Sequence, residues 1–214
     1  MAASPDVPDP ADRIREVVSY RPAGEPAAPT PAALNAMGMW LFLAALFMLF
    51  AAMLVGYLII RITGTHSPEL HTIQVPRLLY LSTAAVIGVS ITMHLAVQHI
   101  RSAHLRKSRE WLLASLLLSL GFVLVQVPAM LMLLRAHHQA ETVGIYLYGL
   151  IYFLILTHAL HVVGGVAAMV WVVFHAYQGA YNEDRYLPVR NTALYWHFLD
   201  VIWICMFLMF LATG

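Results

Sequence analysis

Cysteine and charge are the two things this 214-residue chain nearly lacks. There is one cysteine, Cys205, so no intrachain disulfide and no thiolate metal cluster can come from this chain alone. The same count excludes a two-cysteine copper centre and a covalently attached c-type haem, which needs Cys-x-x-Cys-His. Charged residues make up 11% of the chain and hydrophobic ones 61%, where soluble proteins have about 25% charged. The formal net charge is +1 and no basic cluster of nucleic-acid type occurs, so no DNA or RNA partner is expected. The first twenty residues also lack the apolar core of a cleavable secretory signal, which leaves the first apolar helix as the expected insertion signal.

What is present is a series of long apolar runs. Stretches free of Asp, Glu, Lys and Arg extend from Ala36 to Ile60, Leu78 to Ile100, Trp111 to Leu134 and Thr142 to Gln178, and a fifth from Asn191 to Gly214 is interrupted only by Asp200. Each is long enough to cross a hydrocarbon core of about 30 Å at about 1.5 Å per helical residue. The expected fold is therefore an all-α integral membrane bundle of five transmembrane helices, spanning residues 34–214. The fourth run is long for one bilayer and is expected to tilt or protrude. Residues 1 to about 33 hold seven of the eleven prolines and no periodic apolar face, as in a disordered tail.

Basic residues set the expected orientation. Arg13, Arg15 and Arg21 in the tail, Arg101, Arg106, Lys107 and Arg109 after the second span, and Arg185 and Arg190 after the fourth lie on one side, against Arg61, Arg77 and Arg135 on the other. Nine against three places the amino terminus in the cytoplasm and the carboxyl terminus in the periplasm of a bacterial plasma membrane. The group Arg101, Arg106, Lys107 and Arg109 would meet anionic phospholipid head groups. Ala52 with Gly56 and Gly164 with Ala168 have the small-xxx-small spacing of helix packing seams.

Asp200 is the one ionisable carboxylate inside a span. Such a group costs on the order of 2.5 to 3.5 kcal/mol on insertion scales, so it must find a partner. His158 and His161, three apart at a similar depth in the fourth span, share a helical face and are the expected hydrogen-bond donors, without a metal. A different class of reading comes from His94 and His197. They sit at matching depth in two spans, as a bis-histidine b-type haem of a membrane cytochrome would require, although bulky Trp196, Phe198 and Leu199 crowd His197. His137-His138 has the look of adjacent copper ligands, but five spans cannot supply the rest of such a centre, and an exposed interfacial turn is expected there.

The run Tyr195-Trp196-His197-Phe198-Leu199-Asp200-Val201-Ile202-Trp203 resembles the last helix of subunit III of the haem-copper terminal oxidases. Thr157, His158, Leu160, His161, Val162 and Gly165 reproduce a second block of that family, and Gly38, Met39, Leu41, Phe42 and Phe50 a third, so the resemblance runs from about residue 37 to the end. It implies a non-catalytic accessory subunit without its own cofactor. Such a subunit packs on catalytic subunit I, which carries haem and copper, binds phospholipid, and supports proton-coupled oxygen reduction. The family motifs mark His158, His161, His197 and Asp200 as a buried polar cluster, and Gly38, Gly165, Trp196 and Trp203 as packing residues. Phe122 and Gln126 also fit the pattern. Leu46 and Ala129 stand where the family commonly has acidic residues, so no proton-uptake role through those carboxylates is implied. A subunit-III-like partner of a nitric oxide reductase fits the same motifs, and the electron donor, cytochrome c or quinol, is not written in this chain.

Overall fold

The computed structural model describes residues 30–63, 77–138 and 145–213. They form five helices: α1 (Pro31–Thr63), α2 (Arg77–Arg101), α3 (Leu105–His138), α4 (Ile145–Tyr177) and α5 (Leu187–Thr213). All five are long and apolar enough to cross a membrane. The protein is thus an all-α, multi-pass membrane protein, because only a structure that closes its own backbone hydrogen bonds is tolerated in hydrocarbon. Most of the proline-rich tail, together with His66 and His71, lies outside the described residues.

Helix ends follow local chemistry. Thr30 Oγ1 accepts a hydrogen bond from the Ala33 amide at 3.3 Å, capping α1 just ahead of Pro31, whose missing donor is harmless at a first helical position. The α2–α3 connection is only Ser102, Ala103 and His104. It closes with the His104 amide donating to the His99 carbonyl at 2.9 Å and Ala103 to Ile100 at 3.2 Å, the paired bonds of a Schellman cap. The α4 end repeats it, with Ala180 donating to His175 and Gly179 to Ala176, both at 3.1 Å. The left-handed residue is Gly179 (φ 79°) in one cap and Ala103 (φ 58°) in the other.

Two expectations need correction. The basic group after the second span is not a loop: Arg106, Lys107 and Arg109 already belong to the first turns of α3. Charged side chains at a membrane rim do not stop a helix; they only end its apolar stretch. Likewise His137 and His138 are the last residues of α3 rather than a turn. The fourth span is long, as expected, and shares that length with two others: α1, α3 and α4 have 33, 34 and 33 residues against 25 and 27 for α2 and α5. At about 1.5 Å per residue the long three reach about 50 Å, beyond the hydrocarbon thickness.

Helices α2, α3, α4 and α5 form a closed ring in which each neighbours the next and α5 returns to α2. More than half of the α5 span is buried, 56% against 22% to 39% in the others, which makes it the central element. Serines stitch the ring: Ser115 Oγ of α3 donates to Thr92 Oγ1 of α2 at 2.8 Å, and Ser108 Oγ to the Ala96 carbonyl at 2.9 Å. Helix α1 keeps its backbone away from the ring and reaches it through aromatic side chains. Phe42 stacks on Tyr195 at 6.0 Å, fully buried Phe50 meets the His161 and Phe198 rings at 5.5 and 6.4 Å, and Tyr57 meets Phe210 at 6.0 Å.

Candidate functional site

The tightest junction in the bundle is built on Gly165. A Cβ there would lie 3.2 to 3.3 Å from atoms of Tyr195, Trp196 and Leu199. The absent side chain lets α4 and α5 approach, and the Trp196 indole N–H then donates to the Gly165 carbonyl at 3.2 Å. One turn away, the Tyr195 hydroxyl donates to the His161 carbonyl at 2.9 Å. Gly164, part of the expected seam, is looser, with only Tyr195 Oη at 3.8 Å; at Gly38 a Cβ would meet nothing within 4 Å. Spacing marks a small-residue stripe, but helix rotation decides which glycine meets the neighbour.

Trp203 is the hub of the ring. Its indole N–H donates to Thr83 Oγ1 of α2 at 3.1 Å, while its ring meets Phe122 of α3 at 5.9 Å and stacks on His158 of α4 at 5.6 Å. All three neighbouring helices therefore converge on one side chain. His158 is 4% exposed and its Nδ1 has no hydrogen-bond partner.

His161, one turn on, returns its Nδ1 proton to its own helix at the Thr157 carbonyl, 2.7 Å away. Neither histidine supplies the carboxylate. Asp200 is buried, and its hydrogen-bonding neighbour is the Ser90 hydroxyl of α2. The same hydroxyl lies 2.5 Å from His197 Nδ1. One hydroxyl donates a single proton, so Ser90 donating to Asp200 accepts from the His197 N–H, giving a chain His197, Ser90, Asp200 across the α2–α5 seam. The four motif residues thus divide into two centres: His197 and Asp200 face α2, and His158 and His161 lie on α4 beside Trp203 and Phe50. Asp200 Oδ2 remains unbonded. Ser90 was not singled out from sequence, because serine is common in membrane helices and carries no spacing signal.

His94 and His197 do approach, with ring centroids 6.5 Å apart and planes 55° from parallel. That separation suits two axial ligands of one iron, but a porphyrin plane has nowhere to pass. The Ser90–His197 bond joins α2 directly to α5 beside the pair, and the Gln98 amide at 2.9 Å holds His94 Nε2. The residues do not fit a haem. Among the described residues no group of three His, Cys, Asp or Glu side chains is placed to hold a metal ion.

At the rim, the four basic residues separate. Arg101 lies over the Tyr186 ring at 5.4 Å, and the Arg109 guanidinium is beside Gly179, so both brace the α4–α5 loop. Asn182 Oδ1 orders that loop by accepting from the Asp184 and Arg185 amides at 3.2 and 2.8 Å. Burial pushes the Tyr181 phenol above its ordinary pKa. Arg106 and Lys107 stay exposed, and Lys107 joins Gln98, His99, Ser102 and His104 around a polar hollow of about 250 Å³.

A family model described as cytochrome c oxidase subunit III matches residues 23–214. A probable quinol oxidase subunit 3 of Staphylococcus saprophyticus is 28% identical over 180 residues, covering 81% of this chain and 86% of that one. Its counterpart in Staphylococcus aureus is 27% identical over the same coverage. With a match from before α1 to the last residue, and with the Tyr-Trp-His-Phe-x-Asp-x-x-Trp run forming the central helix, the chain belongs to the cytochrome c oxidase subunit III family.

Proposed function

We propose that this chain is the accessory subunit III of a bacterial haem-copper terminal oxidase, seated in the plasma membrane against the catalytic subunit, with no redox chemistry of its own. The observation that carries this reading is the use made of α5. Its family-motif residues are consumed by internal packing and hydrogen bonding to α2 and α4, and the His94–His197 pair leaves no slot for haem. A helix so used serves as scaffold. Electron transfer and oxygen reduction then belong to partner chains that hold haem and copper, and proton translocation is supported rather than performed here.

The amino terminus faces the cytoplasm in this reading, on the nine-against-three count of basic residues. The rim hollow with Lys107, and exposed Arg106 beside it, then receives anionic phospholipid head groups, while Arg101 and Arg109 hold the neighbouring loop. The similar staphylococcal proteins are described as quinol oxidase subunits and the family by its cytochrome c oxidase, so the donor is read from the partners.

The test is to tag the full chain, extract it in mild detergent, and identify what co-purifies. A many-helix haem-copper subunit is expected, with oxygen consumption on cytochrome c or on quinol naming the donor. A solitary chain carrying its own Soret band would overturn the proposal.

A further inference from the structure

Ser90, His94 and Gln98 recur every fourth residue of α2 and so share one helical face, the face that α5 meets with His197 and Asp200. Ser90 differs from the hydroxyls around it. Every other serine or threonine of α2 and α3 donates to a backbone carbonyl, as Ser82 does to Leu79 at 3.0 Å and Ser108 to Ala96 at 2.9 Å. Ser90 bonds only side chains, His197 Nδ1 at 2.5 Å and the Asp200 carboxylate. No carbonyl holds its proton, which is free to pass between the two neighbours.

The chain of groups has an inner and an outer end. Inside, Asp200 is shut in and its Oδ2 bonds to nothing. Outside, half-buried His197 gives Nδ1 to Ser90, while its Nε2 is unbonded and, unlike Asp200 Oδ2, not shut in. Exposed His94 faces it with ring centres 6.5 Å apart, a gap that one bridging water spans. The Gln98 amide holds His94 at 2.9 Å and is itself part of the rim hollow. A polar track therefore leads from the hollow to Asp200 along eight residues of α2, about 12 Å of helix axis. A carboxylate with a purely structural role needs only Ser90. Histidines carried outward through a span are costly against lipid, and polar strips of this kind mark proton or ion routes.

We propose that this track is a proton relay, by which Asp200 takes up and returns one proton at the rim near the α2–α3 turn. With Ser90 donating to Asp200 and the His197 Nδ1–H donating to Ser90, the free lone pair of His197 lies on Nε2. A proton from water bonds to Nε2, the Nδ1–H bond breaks and its proton goes to Ser90 Oγ, and the Ser90 hydroxyl proton goes to the carboxylate. His197 is then neutral with its proton on Nε2, Ser90 again carries one proton, and Asp200 is neutral. The reverse steps return the proton. Asp200 Oδ2 bonds to no further acceptor, so the relay ends at the carboxylate and does not cross the membrane. The other ionisable groups of the surrounding helices stand apart from it. Arg101 lies over Tyr186, Lys107 lines the hollow, Glu110 is exposed at the rim, Tyr195 donates to His161, and His158 and His161 lie against Trp203 and Phe50.

The test reads Asp200 itself, by infrared difference spectroscopy on the complex containing the full chain in lipid discs, and applies whichever partner co-purifies. Lowering the pH should bring up one carboxylic-acid C=O band that Asp200→Asn removes, and transfer to D2O should shift that band within the time of buffer exchange. Ser90→Ala and His197→Phe should each slow the shift by roughly tenfold or more, the effect of one lost hydrogen bond on a barrier. Ser90→Thr, which keeps a hydroxyl, should restore the rate. His94→Phe, at an exposed position, should slow the shift by a smaller factor and keeps the test available if an inner variant fails to assemble. The proposal is overturned by the absence of a band that Asp200→Asn removes, by a band that does not exchange, or by a shift as fast in Ser90→Ala and His197→Phe as in the unchanged protein. It is equally overturned by a Ser90→Thr as slow as Ser90→Ala or, where neither inner variant assembles, by an unchanged rate in His94→Phe.

Discussion

Along the outer seam between α2 and α5, buried polarity is handled by one small hydroxyl: Ser90 serves both His197 and Asp200. Inside the ring it is handled by aromatic surface instead, with Trp203 stacked on His158 and edge-on to Phe122, and a single indole bond to Thr83 fixing its orientation. The seam is joined by direct hydrogen bonds, so its weak point is loss of a partner. The interior is joined by shape, so its weak points are a void or an excess atom. Lipid supplies no hydrophobic drive between helices, and both regions depend on contact quality.

If shape governs the interior, Trp203→Ala should be the most damaging change. It removes the hub of three helices, and truncating a buried tryptophan costs about 3 to 5 kcal/mol. Thermal unfolding of the detergent-purified complex should show loss of this chain well before the others, whereas Trp203→Phe, which removes chiefly the bond to Thr83, should lower the midpoint far less. Equal damage from both would mean that the indole bond, not the packing, holds the interior. Gly165→Val comes next. Its added atoms fall where even a Cβ would stand 3.2 to 3.3 Å from three side chains of α5, and overpacking of this kind costs about 1 to 3 kcal/mol. Gly38→Val, in open space within this chain, is the control expected to leave unfolding unchanged.

The seam should obey the opposite rule. Ser90→Ala barely changes shape but strips His197 and Asp200 of their common partner, an expected loss of about 1 to 3 kcal/mol. Asp200→Asn keeps an acceptor for Ser90 and removes the ionisable group, so its effect should be under about 1 kcal/mol. The two are compared by the fraction of chain retained in the purified complex. A more severe Asp200→Asn would show that the ionised carboxylate itself is required, and the seam would then differ from the interior by charge rather than by hydrogen bonding.

Much of this fold is legible in the sequence, since a bilayer imposes length and apolarity on every span and five runs satisfy it. That the last helix holds a buried carboxylate in need of a partner is also legible, but its place at the centre of the bundle comes only from the structure. The partners of Trp196, His197, Asp200 and Trp203 are not legible. Residue spacing fixes which side chains share a face, as with His158 and His161, but not which neighbour that face meets. Here rotation of α4 turns His158 to Trp203 and leaves Asp200 to Ser90. Helix ends at the rim are hidden for a related reason: Arg106, Lys107 and Arg109 signal leaving the membrane, and nothing in their charge signals that the helix has begun.

The smallest expected effects concern the two matched caps, which adopt one conformation with different residues. In both, the second residue after the helix lies in the left-handed region, at φ 58° for Ala103 and 79° for Gly179. A Cβ there is crowded by the following carbonyl, at a cost of about 1 to 2 kcal/mol, while glycine escapes the clash and loses more backbone freedom on folding. The difference should leave Ala103→Gly stabilising by roughly 0.5 to 1 kcal/mol and Gly179→Ala destabilising by a similar amount. Sterics beyond the backbone do not intervene at Gly179, whose added Cβ would meet the Arg109 guanidinium at an ordinary 3.8 Å. The pair is therefore a clean test of the backbone term, read as opposite shifts of the unfolding midpoint. Shifts of the same sign would mean that the rim contacts of Arg101 with Tyr186, or of Arg109 with Gly179, set the geometry of these turns and that the caps follow them.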